Sequence, residues 1–205
     1  MKKFELTNEF ITNMFGTKLF RIRALVEFGD VEAGELGGYV EKESNLGHDD
    51  NAWVYDNAWV YGDAQVSGDA RVYGDAQVSG DARVYGDAQV SGNALVCGDA
   101  LVYDNARVYG NALVCGDARV CGNGDYAYAR GFGSVNRTTT FFRLKDGGVG
   151  VRCGCFYGTL AQFRDKIRET HGETKKAQEY LMLADLMELR FEEDENEVGN
   201  RKYVE

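Results

Sequence analysis

Proline is absent from the 205 residues of this chain, whereas glycine occurs 26 times. Average usage would give about 14 glycines and about 10 prolines at this length. Collagen and proline-rich linkers both need proline alongside glycine, so the missing proline excludes these two classes. The sequence is 44% hydrophobic and contains 12 Tyr and 11 Phe, which is enough to form a core. We therefore expect the glycines to belong to an ordered structure.

Positive charge and long apolar runs are also scarce. Lys and Arg number 23 against 33 Asp and Glu, so the net charge is −10 and no basic field is present to bind nucleic acid. No apolar run approaches the roughly 18 residues of a membrane span, and residues 1–10 lack the apolar segment of a secretory signal. Five cysteines are an odd number, which favours free thiols in a reducing compartment. Together these features predict a cytoplasmic protein.

A hexapeptide repeat dominates residues 51–122. Its twelve units follow one another without a gap: the second residue is always Ala, the fourth is always Val, and the first is Asp or Asn. The sixth is Gly except at Asp56 and Asp104. Ala and Val are two residues apart and share one face of an extended segment, and Gly followed by Asp or Asn favours a corner. Each unit is therefore predicted to be a short strand with a corner, and three units to complete a triangular coil.

This pattern resembles the hexapeptide-repeat family of left-handed parallel β-helices, in which an aliphatic residue is followed four places later by a small one, as in Val54 and Ala58. The resemblance implies a mainly β fold whose left hand is an exception to the usual right-handed crossover. The twelve units then make four coils. Residues 38–40 and 44–46 keep the period of six and predict a degenerate first coil.

The segments on either side of the repeat have a different character. Alternation in residues 17–26 predicts a strand in an N-terminal cap, with Phe20, Ile22, Ala24 and Val26 on one face. After the repeat, a hairpin around residues 145–148 and helices that begin near Thr159 and Thr174 predict a small α+β module of ββαα order. The predicted division is a cap region at 1–36, a hexapeptide-repeat β-helix at 37–125 with its regular array at 51–122, and a ββαα module with an acidic tail at 126–205.

The chain as a whole is similar to uncharacterised hexapeptide-repeat proteins of phages and prophages of Gram-positive bacteria. The similarity lies in segments such as GDVEAGELGGYVEKESNL and FFRLKDGGVGVRCGCFYGTL. It carries no known activity and implies a phage accessory role in the cytoplasm of the bacterial host.

Enzymatic function is the main alternative, because the best-known hexapeptide proteins are acyltransferases. These enzymes use a histidine base beside a loop extruded from a coil. The array has no histidine and no insertion, and the only two histidines are His48 and His171, too few for the three-histidine metal site of hexapeptide carbonic anhydrases. Cys153 and Cys155 are interpreted as a small apolar pair on one face of a strand rather than half of a metal site. We therefore predict no catalytic residue, cofactor or metal, and an acyltransferase-like enzyme stays an alternative.

One predicted face of the helix carries an apolar strip, which we take as the candidate interface. Residues 18 apart stack on the same face, and on this face two leucines and two cysteines follow aromatic residues. A patch of this kind on a soluble protein usually contacts another surface. The C-terminal module, a second subunit and a foreign protein all remain possible occupants. The strip consists of Trp59, Tyr61, Leu95, Cys97, Leu113 and Cys115.

Regularly spaced aspartates form a second candidate surface, because the first place of each unit is Asp or Asn. Carboxylates on a rigid rod can imitate nucleic-acid phosphates and occupy a basic groove, although Asp and Asn are also ordinary corner residues. The candidate acidic surface consists of Asp63, Asp69, Asp75, Asp81 and Asp87.

These observations predict a non-enzymatic protein-binding protein. Its most concrete form is a phage-encoded inhibitor of a bacterial host protein, such as a defence nuclease complex, in the manner of anti-CRISPR proteins. We expect a homo-oligomer, a dimer or a trimer, and no direct contact with nucleic acid or membrane. A structural or assembly protein of a phage is a further alternative.

Overall fold

A computed structural model describes residues 2–133 and 137–192, so the acidic tail after Glu192 lies outside the described residues. The chain forms a parallel β-solenoid followed by an α+β module, which confirms the predicted mainly β class. The strands and helices, in chain order, are β1 (Phe4–Thr12), β2 (Lys18–Ala24), β3 (Leu36–Val40), β4 (Trp53–Val54), β5 (Trp59–Val60), β6 (Gln65–Val66), β7 (Arg71–Val72), β8 (Gln77–Val78), β9 (Arg83–Val84), β10 (Gln89–Val90), β11 (Leu95–Cys97), β12 (Leu101–Val102), β13 (Arg107–Val108), β14 (Leu113–Cys115), β15 (Arg119–Val120), β16 (Tyr126–Ala129), β17 (Thr139–Arg143), β18 (Val149–Cys153), β19 (Phe156–Thr159), α1 (Leu160–His171) and α2 (Lys175–Phe191).

Three parallel sheets form the flat faces of the solenoid. Face 1 contains β4, β7, β10 and β13, face 2 contains β5, β8, β11 and β14, and face 3 contains β6, β9, β12 and β15. Each strand pairs in register with the strand 18 residues later, as Val54 does with Val72. The Ala and Val of all twelve units are no more than 1% exposed. The hexapeptide pattern therefore places one small and one branched side chain per strand in a continuous core, as predicted.

An incomplete first coil precedes the regular array. Strand β3 pairs in parallel with β5, and Leu46 forms a parallel bridge with Val66. These pairings confirm the degenerate coil that the spacing of residues 38–46 predicts. Two antiparallel strands, β2 and β1, extend face 2 beyond it. Phe4 and Phe28 contact Trp53 with ring centroids 6.2 and 5.3 Å away, so the N-terminal segment covers a tryptophan that is otherwise on the outer side of face 1.

The inward face of β2 differs from the predicted alternation. Leu19, Ile22 and Ala24 are buried, whereas Phe20 is only partly so. The pairing between β2 and β3 shifts register between Arg21 and Arg23, which indicates a bulge. A bulge reverses which side chains point inward, so strict alternation fails in this strand.

The C-terminal module has four antiparallel strands rather than two, in the order β16-β17-β18-β19, packed against α1 and α2. The predicted hairpin is present, with the Leu144 N–H donating to the Gly148 carbonyl at 2.9 Å. Both helices begin where expected, because the Thr159 side chain accepts from the Gln162 N–H and the Thr174 side chain from the Ala177 N–H. Neither helix has the length and apolar character that crossing a bilayer requires, within the described residues.

The module lies across the C-terminal end of the solenoid. The Leu113 N–H donates to Thr140 Oγ1 at 2.9 Å, and the Lys145 N–H donates to the Asp117 carbonyl at 3.1 Å. Tyr126 and Phe142 of the module join the solenoid core. The open end of the last coil is thereby closed, as repeat proteins require of their terminal units.

Candidate protein-binding surface

The apolar strip forms on face 2 as the period of 18 predicts. Leu95 pairs with Leu113 and Cys97 with Cys115 in parallel register, and Trp59 pairs with Gln77. Trp59, Tyr61, Leu95, Cys97 and Leu113 are partly exposed, and Cys115 is buried at 5% exposure. The module contacts the last rung of the strip, where the Leu113 N–H donates to Thr140 Oγ1 at 2.9 Å and β14 packs against β17 and β18.

The expectation that all five cysteines are free thiols is wrong, because a disulfide joins Cys97 to Cys115. In-register parallel pairing places the Cα atoms of these residues 4.6 Å apart, within the range that a disulfide spans. The bond ties two successive coils together on face 2. Cys121, Cys153 and Cys155 form no disulfide in the described part of the chain.

The aspartates of the candidate acidic surface do not form one surface, because the solenoid divides them among three corners. Asp69 and Asp87 lie between faces 3 and 1, and Asp75 lies between faces 1 and 2. Asp63 and Asp81 lie between faces 2 and 3, directly beside the apolar strip. All five are exposed.

The corner between faces 2 and 3 carries an aspartate on every rung of the regular array, and we call it the aspartate edge. Residues 18 apart on this corner are about 4.8 Å apart, the spacing of neighbouring strands. All of its members are exposed. Sequence reasoning named two of them and missed two, although the 18-residue period that defined the faces identifies all of them. The aspartate edge consists of Asp63, Asp81, Asp99 and Asp117.

The other two corners differ from the aspartate edge in their hydrogen bonding. Asn51 Nδ2 donates to Asp69 Oδ1 at 2.7 Å, and Asn57 Nδ2 donates to Asp75 Oδ1 at 3.5 Å. An amide and a carboxylate on successive rungs therefore link the coils. Four stacked carboxylates contain no donor, so the aspartate edge cannot form such links within itself.

Two basic side chains contact residues of the aspartate edge. Lys42 Nζ contacts Asp63 Oδ1 at 2.6 Å, and this hydrogen-bonded pair lowers the pKa of Asp63 and raises that of Lys42. Arg119 Nη1 donates to the Asp99 and Ala118 carbonyls at 2.9 Å each. The first rung of the edge is therefore neutralised within the chain, and the outward charge lies on the later rungs.

Both histidines make packing contacts with aromatic rings. His48 stacks on Phe4 with centroids 4.5 Å apart, and its Nδ1 accepts from the Lys3 N–H at 3.2 Å. His171 stacks on Tyr180 in the last turn of α1. Neither lies on the regular array, where the acyltransferase alternative would need a base.

Cys153 and Cys155 do not share one face of a strand as expected. Cys153 ends β18 and pairs with Phe156 of β19, so Gly154 and Cys155 form the tight turn between the two strands. Gly154 has a φ of 60°, a backbone conformation that residues with a side chain rarely adopt. Among the described residues, no three His, Cys, Asp or Glu side chains are grouped so as to hold a metal ion.

A family model described as "YdcK Beta solenoid repeat" matches the chain at residues 64–78, 76–91, 88–104, 100–116 and 106–122. No curated protein matches the sequence. The matched residues begin in the last hexapeptide of the first regular coil and end with the last hexapeptide of the array. They support a repeat β-solenoid family for this segment of the chain.

Proposed function

We propose that this chain is a non-enzymatic protein-binding protein, and that the apolar strip and the adjoining aspartate edge form one docking surface. The partner that fits is a protein whose surface combines an apolar patch with a row of Lys or Arg side chains. Charge complementarity of this kind steers association, and partly exposed aromatic and aliphatic groups supply contact area.

The observation that carries the proposal is the unbroken row of carboxylates on one corner. The fold accepts Asn at the same place, as Asn57, Asn93 and Asn111 do on the neighbouring corner. Like charges on successive rungs repel one another. The stability of the solenoid alone therefore does not favour an unbroken row of carboxylates. Binding to a cationic partner accounts for the row.

The core beneath the surface supports this use, because it holds the side chains in fixed positions. Each strand of face 2 is bonded to the next, with the Leu95 N–H donating to the Ala112 carbonyl at 2.9 Å. The disulfide between Cys97 and Cys115 adds a covalent link between two rungs of the strip itself. A surface that is already ordered loses little conformational entropy on binding.

The more specific form of the proposal is an inhibitor, encoded by a phage, that acts on a bacterial host protein such as a defence nuclease complex. Such a target binds nucleic acid in a basic groove, and the aspartate edge would occupy that groove in place of phosphates. The net charge of −10 supports a basic target. Carboxylates can replace phosphates in such a groove without imitating the bases, because contacts to phosphates carry no sequence information.

The test compares two variants of equal charge in affinity capture from bacterial lysate. The edge variant carries Asp63→Asn, Asp81→Asn, Asp99→Asn and Asp117→Asn. The control variant removes four exposed aspartates from the other corners, through Asp69→Asn, Asp75→Asn, Asp87→Asn and Asp104→Asn. We expect a protein that the wild-type chain and the control variant capture and the edge variant does not, with its activity reduced by the purified wild-type chain. Equal capture by both variants would refute the aspartate edge as a docking surface.

The acyltransferase alternative has a separate test. Titration with acetyl-CoA in a calorimeter should give no binding heat if the chain is a binding protein. Saturable binding would instead favour the enzyme.

A further inference from the structure

Helix α2 carries a second apolar surface that packs against nothing in the described residues. Its inner side contributes Ala177, Tyr180, Ala184, Met187 and Phe191 to the module core. Its outer side exposes Met182 to 71%, Leu186 to 54% and Leu189 to 68%. We call these three residues the outer stripe.

The spacing of the outer stripe is that of a helix-packing seam. Positions i, i+4 and i+7 lie in one row along a helix, and exposed apolar side chains in such a row are typical of a surface that another helix covers. A single exposed leucine is ordinary on a protein surface. Three long apolar side chains in one row, each more than half exposed, instead indicate a contact surface.

We propose that the outer stripe pairs with the same stripe of a second copy of this chain, with the two α2 helices antiparallel. This surface is separate from the apolar strip and the aspartate edge, so the proposal does not depend on the proposed function. In the antiparallel arrangement, Met182 of one copy lies opposite Leu189 of the other, and Leu186 lies near the two-fold axis.

The charges beside the outer stripe fit this arrangement. Glu179 and Arg190 flank the stripe on the same side of the helix, near opposite ends, and Glu179 Oε2 accepts from the Gly133 N–H at 2.9 Å, which holds the carboxylate in place without neutralising its charge. A two-fold axis near Leu186 brings Glu179 of one copy to within about two residues' rise, roughly 3 Å along the axis, of Arg190 of the other. Two such pairs form by symmetry.

The two central carboxylates of α2 share one counter-charge within each chain. Arg164 Nη2 contacts Asp185 Oδ1 and Glu188 Oε2, each at 2.8 Å. The single guanidinium balances one of the two negative charges, so these pairs reduce the like-charge repulsion that two copies of Asp185 would create near the two-fold axis. In a parallel pair, by contrast, the Lys175 side chains at the start of both helices would lie side by side and repel one another.

One helix pair of this length buries less than the roughly 1,200 Å² of a standard stable interface, so the dimer is expected to be weak and dependent on concentration. Sedimentation velocity of the full chain should show the mass rising from 22.7 kDa toward twice that value as concentration increases. Leu186→Glu should give only the monomer. Leu25→Glu, which changes an exposed leucine remote in sequence from α2, is the matched control and should dimerise like the wild type.

The charge pairs test the orientation. Arg190→Glu should weaken the dimer, and Arg190→Glu combined with Glu179→Lys should restore it; Glu179→Lys alone measures the effect of losing the hydrogen bond from the Gly133 N–H and should weaken the dimer as Arg190→Glu does. Thermal unfolding of each variant checks that the module stays folded. A wild-type chain that is monomeric at every concentration, or a Leu186→Glu variant that still dimerises, would overturn the proposal. Failure of the double variant to recover would overturn the antiparallel orientation. The edge variant should dimerise normally, which separates this interface from the proposed function.

Discussion

The close stacking of the corners makes a sharp prediction at Gly98, which lies on the aspartate edge between Cys97 and Asp99. Gly98 has a φ of 69°, and a Cβ placed on it would lie 2.8 Å from the Gly116 nitrogen and 3.0 Å from the Gly116 Cα. These are backbone atoms of the next coil and cannot rotate away. Gly98→Ala should therefore destabilise the solenoid both by its backbone conformation and by this contact.

The size of the effect follows from separating the two causes. Gly147, in the turn between β17 and β18, also has a positive φ, 83°, but no atom lies within 4 Å of its Cβ position. Gly147→Ala carries only the left-handed backbone cost of about 1–2 kcal/mol, reduced by about 0.4–1 kcal/mol from the stiffer unfolded chain. Gly98→Ala adds an overpacking cost of about 1–3 kcal/mol. We therefore expect about 1 kcal/mol for Gly147→Ala and about 2–4 kcal/mol for Gly98→Ala.

Thermal unfolding, followed by circular dichroism, measures the difference. At roughly 2–4 °C per kcal/mol for a chain of this size, the melting temperature should fall by about 3 °C for Gly147→Ala and by about 5–15 °C for Gly98→Ala. Each coil contacts only its neighbours, so unfolding of a solenoid need not be a single two-state transition and different probes then report different melting temperatures. The wild type and both variants are therefore compared by the same probe. Equal shifts for the two variants would refute the claim that stacking between coils, rather than backbone conformation, limits this corner.

Three further predictions concern the disulfide, the aspartate edge and Lys3. Under denaturing conditions without reductant, three of the five cysteines should react with a thiol reagent, since Cys97 and Cys115 are joined; five reacting cysteines would contradict the bond. Replacing both with Ser should lower the free energy of unfolding by about 3 kcal/mol, the chain-entropy value for a loop of this length. The edge variant should unfold at a higher temperature than the wild type at low salt, and added salt should reduce the difference because it screens the carboxylates. Lys3 is 3% exposed, with Nζ donating to the Ala52 carbonyl at 2.9 Å, and burial lowers its pKa from 10.5 to about 8. Between pH 8 and about 10, where the unfolded chain holds this proton and the folded chain releases it, stability should rise with pH, and Lys3→Met should remove that rise in denaturant titrations.

The solenoid could be predicted almost completely from the sequence because its rules are local and repeated. Period six assigns each Ala and Val to the interior, and period 18 assigns each outward residue to a face. Even the two residues that replace Gly in the sixth place adopt the left-handed conformation of the corner, since Asp56 and Asp104 both have a φ of 53°. Aspartate tolerates this conformation better than most residues with a side chain.

The flanking regions were less predictable because tertiary pairing decides them. Strands β1, β16 and β19 have no strong pattern of their own and form because a neighbouring strand offers an edge. The turn at Gly154 and Cys155 converts what reads as one β-prone run into two strands. The bulge in β2 likewise depends on how that strand meets the first coil.

The candidate site was predicted in part. The 18-residue period predicts the apolar strip, and applied to the first place of each unit it also predicts the aspartate edge; the aspartates taken together, without that period, combine residues from three corners. The disulfide was missed because the odd number of cysteines favoured thiols over pairing. The register that stacks Cys97 on Cys115 was nonetheless contained in the repeat.

The aspartate edge can be distinguished from an ordinary corner by asking whether stability and binding respond to the same substitution in opposite directions. Two carboxylates about 4 Å apart in water repel by roughly 1 kcal/mol, so replacing one with an amide removes repulsion and adds a donor. The bond from Asn51 to Asp69, at 2.7 Å, shows that a mixed corner can link its rungs. If Asp81→Asn and Asp99→Asn stabilise the chain yet abolish capture of a partner, the carboxylates serve binding at the expense of the fold. If the same substitutions destabilise it, the carboxylates have a structural role and the docking surface must lie on the apolar strip alone.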